Sequence, residues 1–213
     1  MLVRYWMTES LYVATEGMTL LDTLRVMKEK QIRRLPVVHG KELRGIISRS
    51  DLYQFIDPLV IEESKIPANV AAELDTILVG QHMTSWPYTC EPNDPVEEVG
   101  ARMRQKKVGC MPVVAGDELV GLITESDIFD ALTQLTGWGL GGDRICLRIT
   151  NDQKADVFFR VVELCKKFDL ELLTLLTHPF KNQNAQMVLV RVLGAREKEF
   201  VGALWDEYQV LVA

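Results

Sequence analysis

Apolar residues recur along this chain in two rhythms that alternate. Leu20, Leu24 and Met27 stand at helical spacing, and Val96, Val99 and Met103 repeat the arrangement. Each helical run is followed by two short apolar stretches that predict strands, residues 35–38 and 43–48, then 111–114 and 119–124. The turns His39-Gly40-Lys41 and Ala115-Gly116-Asp117 join them into hairpins. Short extended pieces precede the helices at 12–14 and 88–90, and further helices begin near Ser50 and Ser126. Asp94-Pro95 predicts a helix start, with Asp94 as the cap. Beyond residue 142 the order changes to strand (144–149), helix (residues 155–170), two strands around a "PFKNQN" loop, helix (197–208) and a last strand, "QVLVA". The first of these helices carries Val157, Phe158, Val161, Val162, Leu164 and Cys165 at helical spacing.

The first two blocks are copies of one another. Shifted by 76 residues, Met7-Thr8 falls on Met83-Thr84, Tyr12 on Tyr88, Met27 on Met103 and Lys30 on Lys106. "LPVVHGKELRGIISRSD" then lies over "MPVVAGDELVGLITESD" without a gap. One constant offset over so long a span marks a duplicated unit. A copy of about 50 residues is too small to bury a comfortable core, so the two are expected to pack as one domain.

The pattern that ends each hairpin admits two readings. Ser48-x-x-Asp51 and Thr124-x-x-Asp127 fit a helix-capping signature, with the hydroxyl on backbone N–H groups and the acid in the first turn. The same groups suit an anion site, with the aspartate accepting from a pair of ribose hydroxyls. Gly45 and Gly121 would then let a ligand approach the backbone. Either reading stands at this point.

The order strand, helix, strand, strand, helix, with "LPVV" followed by "GIISRSD", resembles a CBS domain, and two in tandem resemble a CBS pair, or Bateman module. The resemblance covers residues 3–57 and 81–135. It implies a compact pseudo-symmetric disc whose two clefts bind an adenosine-containing ligand such as AMP, ADP, ATP or S-adenosylmethionine. It places Ser48 or Thr124 near ribose or phosphate, and Asp51 or Asp127 on the ribose hydroxyls. Adenine stacks near Val13, Ile47 and Pro36 in one copy and near Thr89, Ile123 and Pro112 in the other. The final βαββαβ segment is ferredoxin-like in order and resembles an ACT domain. The whole arrangement resembles the acetoin-utilisation accessory proteins. ACT domains that bind amino acids usually carry glycine after the first strand. Here that turn reads Thr150-Asn151-Asp152-Gln153-Lys154, which weighs against an amino-acid ligand.

The expected fold class is therefore α/β (α+β): CBS repeat 1 at 1–57, a linker at 58–80, CBS repeat 2 at 81–136, a glycine-rich linker at 137–142 and an ACT-like domain at 143–213. The linker before repeat 2 reads as connection, with a short helix after Pro67. "GWGLGG", residues 137–142, matches the letters GxGxxG, but a helix precedes it and a strand follows, the reverse of a dinucleotide-binding motif. It reads as a flexible linker.

Charge distinguishes the copies. The chain of 213 residues carries a net −6, yet residues 1–57 have nine Lys/Arg against seven Asp/Glu, and residues 58–142 have five against thirteen. Arg33 and Arg34 correspond to Gly109 and Cys110, and Arg49 to Glu125. Arg33 and Arg34 are thus the expected phosphate clamps, without assignment to one cleft. The acidic balance argues against a nucleic-acid or anionic-lipid partner, and no apolar run is long enough to span a bilayer. The N-terminus turns polar too soon for a signal-peptide core. Cys90, Cys110, Cys146 and Cys165 form no CxxC pair and read as reduced thiols in a cytoplasmic protein. His39, His82 and His178 are scattered, with no metal-ligand spacing. No catalytic constellation is readable, so the expectation is a non-enzymatic regulator, homodimeric and with a regulated protein partner. It requires no cofactor and no metal. A ligand-free interaction scaffold, or an amino-acid sensor, is the alternative.

Overall fold

The structure is a computed structural model that describes residues 1–57, 66–150, 156–181 and 184–212. It divides into two compact units, Met1–Ile128 and Phe129–Ala213. The turn at 151–154 lies outside the described residues, as do 58–65 of the expected linker and part of the "PFKNQN" loop.

In the first unit, helix α1 (Leu20–Glu29) precedes strands β1 (Arg34–His39) and β2 (Glu42–Ser48), then a four-residue helix α2 (Arg49–Leu52) and α3 (Ala68–Leu74). Strand β3 (Thr84–Ser85) and helix α4 (Val96–Lys106) open the second copy, followed by β4 (Cys110–Ala115), β5 (Glu118–Thr124) and the start of α5 (Glu125–Leu135), whose residues from Phe129 onward belong to the second unit. The sheet runs β1-β2-β5-β4, with β3 on β2. Both hairpins turn on a glycine of positive φ, Gly40 at 62° and Gly116 at 64°, a conformation that costs a side-chain-bearing residue free energy. They join where Glu42 faces Glu118.

Each copy is completed by the other. The N–H of Val3 donates to Asp94 O at 3.0 Å, and that of Val79 to Met18 O at 2.9 Å. Arg4 N to Pro92 O is matched by Gly80 N to Glu16 O, both 2.9 Å. Thr8 bridges to Leu122 of β5, and Thr84 to Ile46 of β2. The Met-Thr pair that opens each repeat therefore crosses to the opposite copy's strand.

The core follows the helical and alternating patterns. Leu20, Leu24 and Met27 of α1 pack with Leu35, Val37 and Ile47 from the hairpin and with Leu52. Leu74 of α3 and Val79 belong to the same cluster, so the described part of the inter-repeat segment is packed structure as well as connection. Thr19 caps α1 by accepting from the Asp22 N–H. Asp94 does not cap α4, contrary to expectation. Pro95 is the residue before the helix. The Asp94 carboxylate instead accepts from Glu91 N and pairs with Arg102.

The second unit contains β6 (Asp143–Thr150), α6 (Asp156–Phe168), β7 (Glu171–Pro179), β8 (Ala185–Leu193), α7 (Glu197–Glu207) and β9 (Gln209–Val212). The sheet order is β7-β8-β6-β9, with every neighbouring pair antiparallel. Ile145, Leu147, Ile149, Val188, Val190 and Val192 pack against Val157, Val161, Leu164, Phe200 and Leu204 of the helices. Phe158 and Val162, expected on the same helical face, are on the exposed side of α6 at 36% and 40% exposure.

Residues 137–142 are not a loose tether. The buried Arg191 of β8 donates to the carbonyls of Thr136, Gly141 and Gly142, at 3.2, 3.0 and 3.3 Å. A Cβ at Gly142 would lie 2.0 Å from the Val192 carbonyl oxygen. Gly137 and Gly142 are there for close approach to Arg191 and β8, within the second unit, while Gly139 and Gly141 have open space around them and share only the positive φ. Among the described residues no helix is long and apolar enough to cross a membrane.

Candidate functional site

Strand β5 ends at Thr124 and α5 starts one residue later, so the hydroxyl stands at the strand–helix junction. The Thr124 N–H and hydroxyl both donate to Asp127 Oδ2 at 2.7 Å, while Asp127 N donates to Thr124 Oγ1 at 3.4 Å. Ser48 and Asp51 repeat this, with both donors 2.7 Å from Asp51 Oδ2 and a complete capping box. The bonds all use Oδ2 and leave Oδ1 outside the cap. The capping chemistry is thus present in both copies.

A cavity of about 760 Å³ opens beside the Thr124 junction. Its apolar wall comes from Leu11, Tyr12, Ile32, Pro36 and Leu122, and its polar side from Thr8, Gln31, Arg33, Arg34, Thr124 and Ser126. Glu125 and Gly109 complete that end, with Ser10 at the first repeat's edge. The cavity is therefore built across the copies. It takes Pro36 and the arginine pair from the first and Thr124 from the second, whereas the expectation grouped Pro36 and Thr124 with their own copies and left the arginines unassigned. The crossing of Thr8 onto Leu122 brings them together. Lys30 stands over the Tyr12 ring, 5.1 Å from its centroid, and Lys106 over Tyr88 at 5.0 Å. These cation–π pairs fix both tyrosines and account for two positions that recur in the sequence.

A second cavity, about 310 Å³, is lined by Arg33, Arg34, Ser48, Arg49, Ser50 and Tyr53. Arg33 and Arg34 thus face both cavities. Val13 lines a third, smaller hollow of about 220 Å³ with Val38, Gly40 and Leu119, which shares Leu11 with the largest of the three.

Several of the expected residues lie outside the linings of these cavities. Ile47 and Ile123 are fully buried in the core, because strand alternation turns their side chains inward and presents Ile46, Leu122, Ser48 and Thr124 to the other side. Applied strictly, that alternation would have selected Leu122. Pro112 is buried and Thr89 half-buried, and neither lines any of these cavities. Asp51 and Asp127 are half-buried behind their capping partners. Gly45 and Gly121 do not face open space for a ligand. Met83 Sδ would be 2.5 Å from a Cβ at Gly45, and Met7 Sδ 2.6 Å from one at Gly121.

Cys90 and Cys110 are buried beneath the second copy. Burial pushes the Cys90 thiol up from 9.0 to about 12, against a smaller opposing effect of Arg102. Burial also raises Cys110, with Arg34 opposing and Glu125 reinforcing. Neither is poised as a thiolate nucleophile. Among the described residues no cluster of His, Cys, Asp and Glu could hold a metal ion.

The sequence pattern of the CBS domain matches residues 3–58 and 79–134. A CBS domain-containing protein of Dictyostelium discoideum is 32% identical over 139 residues, covering 63% of this chain and 92% of that one. The crystal structure of CBSX2 in complex with AMP aligns with a TM-score of 0.52 and 25% identity, over 62% of this chain and 96% of that one. An acetoin utilization protein (AcuB) of Vibrio cholerae aligns at 0.53 and 28%, over 67% of this chain and 98% of its own. Other relatives are longer. The matched region spans 45% of an uncharacterized 33.4 kDa protein of Thermofilum pendens and 19% of an inosine-5'-monophosphate dehydrogenase of Korarchaeum cryptofilum, so in the named enzyme it is a minor part.

Proposed function

The chain belongs to the CBS-domain family, and from that premise we propose that it is a regulatory sensor of an adenine nucleotide or related adenosyl ligand. The observation that carries the reading is the cavity of about 760 Å³, with an apolar wall facing two guanidiniums and a hydroxyl. A volume of this order suits a drug-sized ligand, and the chemistry suits a base, a sugar and an anionic end. Tyr12, Ile32, Pro36 and Leu122 receive the base, Thr124 the ribose side, and Arg33 with Arg34 the phosphate. CBSX2, which is similar in fold and in a quarter of its sequence, holds AMP.

Asp51 and Asp127 offer Oδ1 to ribose hydroxyls, since their caps use Oδ2. The second unit is ferredoxin-like and ACT-like in this reading, supported by its two helices and its antiparallel β7-β8-β6-β9 order. It passes the ligand state to a homodimer contact or a cytoplasmic protein partner. Allosteric output requires the ligand to favour one arrangement over another.

Calorimetric titration of the full chain with AMP, ADP, ATP, S-adenosylmethionine and NAD tests the sensor. At least one ligand is expected to bind more tightly than about 1 mM, or roughly −4 kcal/mol. Leu122→Trp, which fills the apolar wall, is expected to abolish that binding. The absence of binding by every ligand would leave the capping-only scaffold, which the Oδ2 bonds also support.

A further inference from the structure

The two cavities differ in chemistry, although the copies that build them share one frame. The larger has an apolar wall, while the smaller is lined by three arginines, two serines and a tyrosine. A base has no apolar surface to stack on in the smaller one beyond the Tyr53 ring. Phosphate oxygens have three guanidiniums to meet there. The cavities share Arg33 and Arg34 in their linings.

Charge gives the arrangement a direction. Glu125 stands at the Thr124 end of the larger cavity. Its counterpart in the other copy is Arg49, which lines the smaller cavity. The Glu125 carboxylate repels a phosphate placed at its end; the Arg34 guanidinium beside Gly109 offsets part of that charge, and Arg33 and Arg49 draw the phosphate toward the smaller cavity. Asp51 Oδ2 accepts from the Ser48 N–H and hydroxyl.

We propose that one nucleotide spans both cavities, its nucleoside in the larger and its outer phosphates in the smaller, so that the chain selects by phosphate-chain length. This rests on the nucleotide-binding reading above and deepens it. AMP reaches Arg33 and Arg34 only. ADP and ATP carry further charge and acceptor oxygens past them to Arg49 and Ser50.

Isothermal titration of the full chain, without divalent cations and at fixed ionic strength, tests the proposal with AMP, ADP, ATP and inorganic tripolyphosphate. Affinity is expected to rise from AMP through ADP to ATP, by about tenfold or more overall, with one ATP per chain. Tripolyphosphate is expected to compete with ATP. Ser50→Asp, at an exposed position, places a carboxylate in the smaller cavity and is expected to bring the ATP-to-AMP affinity ratio to about one. Arg49→Gln is expected to lower the ratio without adding charge. If AMP binds as tightly as ATP, or two ATP bind per chain, the spanning mode is overturned and nucleotide sensing stands. ATP binding that is indifferent to saturating tripolyphosphate overturns it too. If no nucleotide binds, both readings fall.

Discussion

Gly45→Ala separates a structural role for the paired glycines from a ligand-approach role. An added Cβ would sit 2.5 Å from Met83 Sδ, 3.0 Å from Met83 Cγ and 2.9 Å from the Thr84 carbonyl oxygen. The sulfur is the flexible part of a side chain and can move. The carbonyl is backbone, fixed where Thr84 and Ser85 pair with Ile46 and Gly45 of β2. Relief therefore requires β3 to shift from β2, which disturbs the crossing between copies. Overpacking of this kind costs about 1–3 kcal/mol. The loss of glycine's freedom in the unfolded chain returns roughly 0.4–1 kcal/mol. The net expectation is a destabilisation of about 1–2 kcal/mol.

Gly121→Ala is the internal comparison. Its Cβ would meet Met7 Sδ at 2.6 Å, but the nearest carbonyl, Thr8 O, lies 3.2 Å away. The flexible sulfur takes most of the overlap, and the cost should be the smaller of the two. Urea denaturation followed by circular dichroism and by the emission of the four tryptophans, two of them (Trp6 and Trp86) close to the paired glycines in sequence or strand pairing, reads both. A shift in midpoint at constant m-value identifies a change in stability. Trimming the neighbour in Gly45→Ala/Met83→Ala should recover part of the loss relative to the sum of the singles, a coupling between touching residues. If Gly45→Ala stays within about 0.5 kcal/mol of the parent while ligand affinity collapses, the glycine faces a ligand and the packing argument is wrong.

Three further perturbations follow from the geometry. Asp127→Ala removes the acceptor of two 2.7 Å bonds at the α5 start and should cost about 1–2 kcal/mol without ligand. An unchanged melting temperature would contradict the capping role. Arg191→Leu leaves three carbonyls of residues 136–142 without their buried donor. The loss should be on the order of 3 kcal/mol, with faster proteolysis at 137–142. Equal protease resistance would show that this segment is held by other contacts. Cys90 titrates near 9.0 when unperturbed but is pushed up to about 12 in the folded chain. Its stabilisation is fully present below pH 9 and is lost as pH rises toward 12, because only the unfolded thiol releases its proton there. Cys90→Ala should flatten the alkaline fall in stability, and an identical slope in the variant would refute the assignment.

The sequence carried most of the local structure and less of the site. The constant 76-residue offset exposes the duplicated frame, and the hairpins, helices and Ser48/Asp51 and Thr124/Asp127 caps follow from local chemistry. The cross-copy contacts do not. Thr8 and Leu122 are adjacent in space but far apart in sequence, and nothing in a single sequence says which copy completes which. That is why Pro36 and Thr124 were placed in different clefts. The burial of Ile47 and Ile123 is hard to read for a different reason. They share a strand face with Gly45 and Gly121, and a glycine in a strand suits the approach of a ligand as well as of a side chain. Once Met83 and Met7 are seen covering the glycines, that face is the core. "GWGLGG" misled through composition, because glycine serves close packing as well as flexibility. The buried arginine that requires those glycines lies 50 residues further on.

The unequal cavities arise from side chains set on a nearly equal backbone. Matching hydrogen bonds across the copies differ little: Arg4 to Pro92 and Gly80 to Glu16 are both 2.9 Å. The residues that preserve this frame recur in both copies, as Met7 and Met83, Gly45 and Gly121, and the two capping aspartates do. Some of the residues that differ line the cavities, as Arg33 and Arg49 do against Gly109 and Glu125. Gly109 stands where the first copy has Arg33, and a Cβ there would lie 2.6 Å from Arg34 Nη2. The space beside it is therefore available to the Arg34 guanidinium, which reaches across from the first copy. An arginine at 109 would put its side chain where the Arg34 guanidinium and the Glu125 carboxylate already lie, 2.6 and 3.1 Å from its Cβ, and would take up space at that end of the larger cavity. The loss of a side chain in one copy and its presence in the other are parts of one device. The glycine makes room, the arginine supplies charge, and a symmetric pair with either residue in both places would have one function without the other.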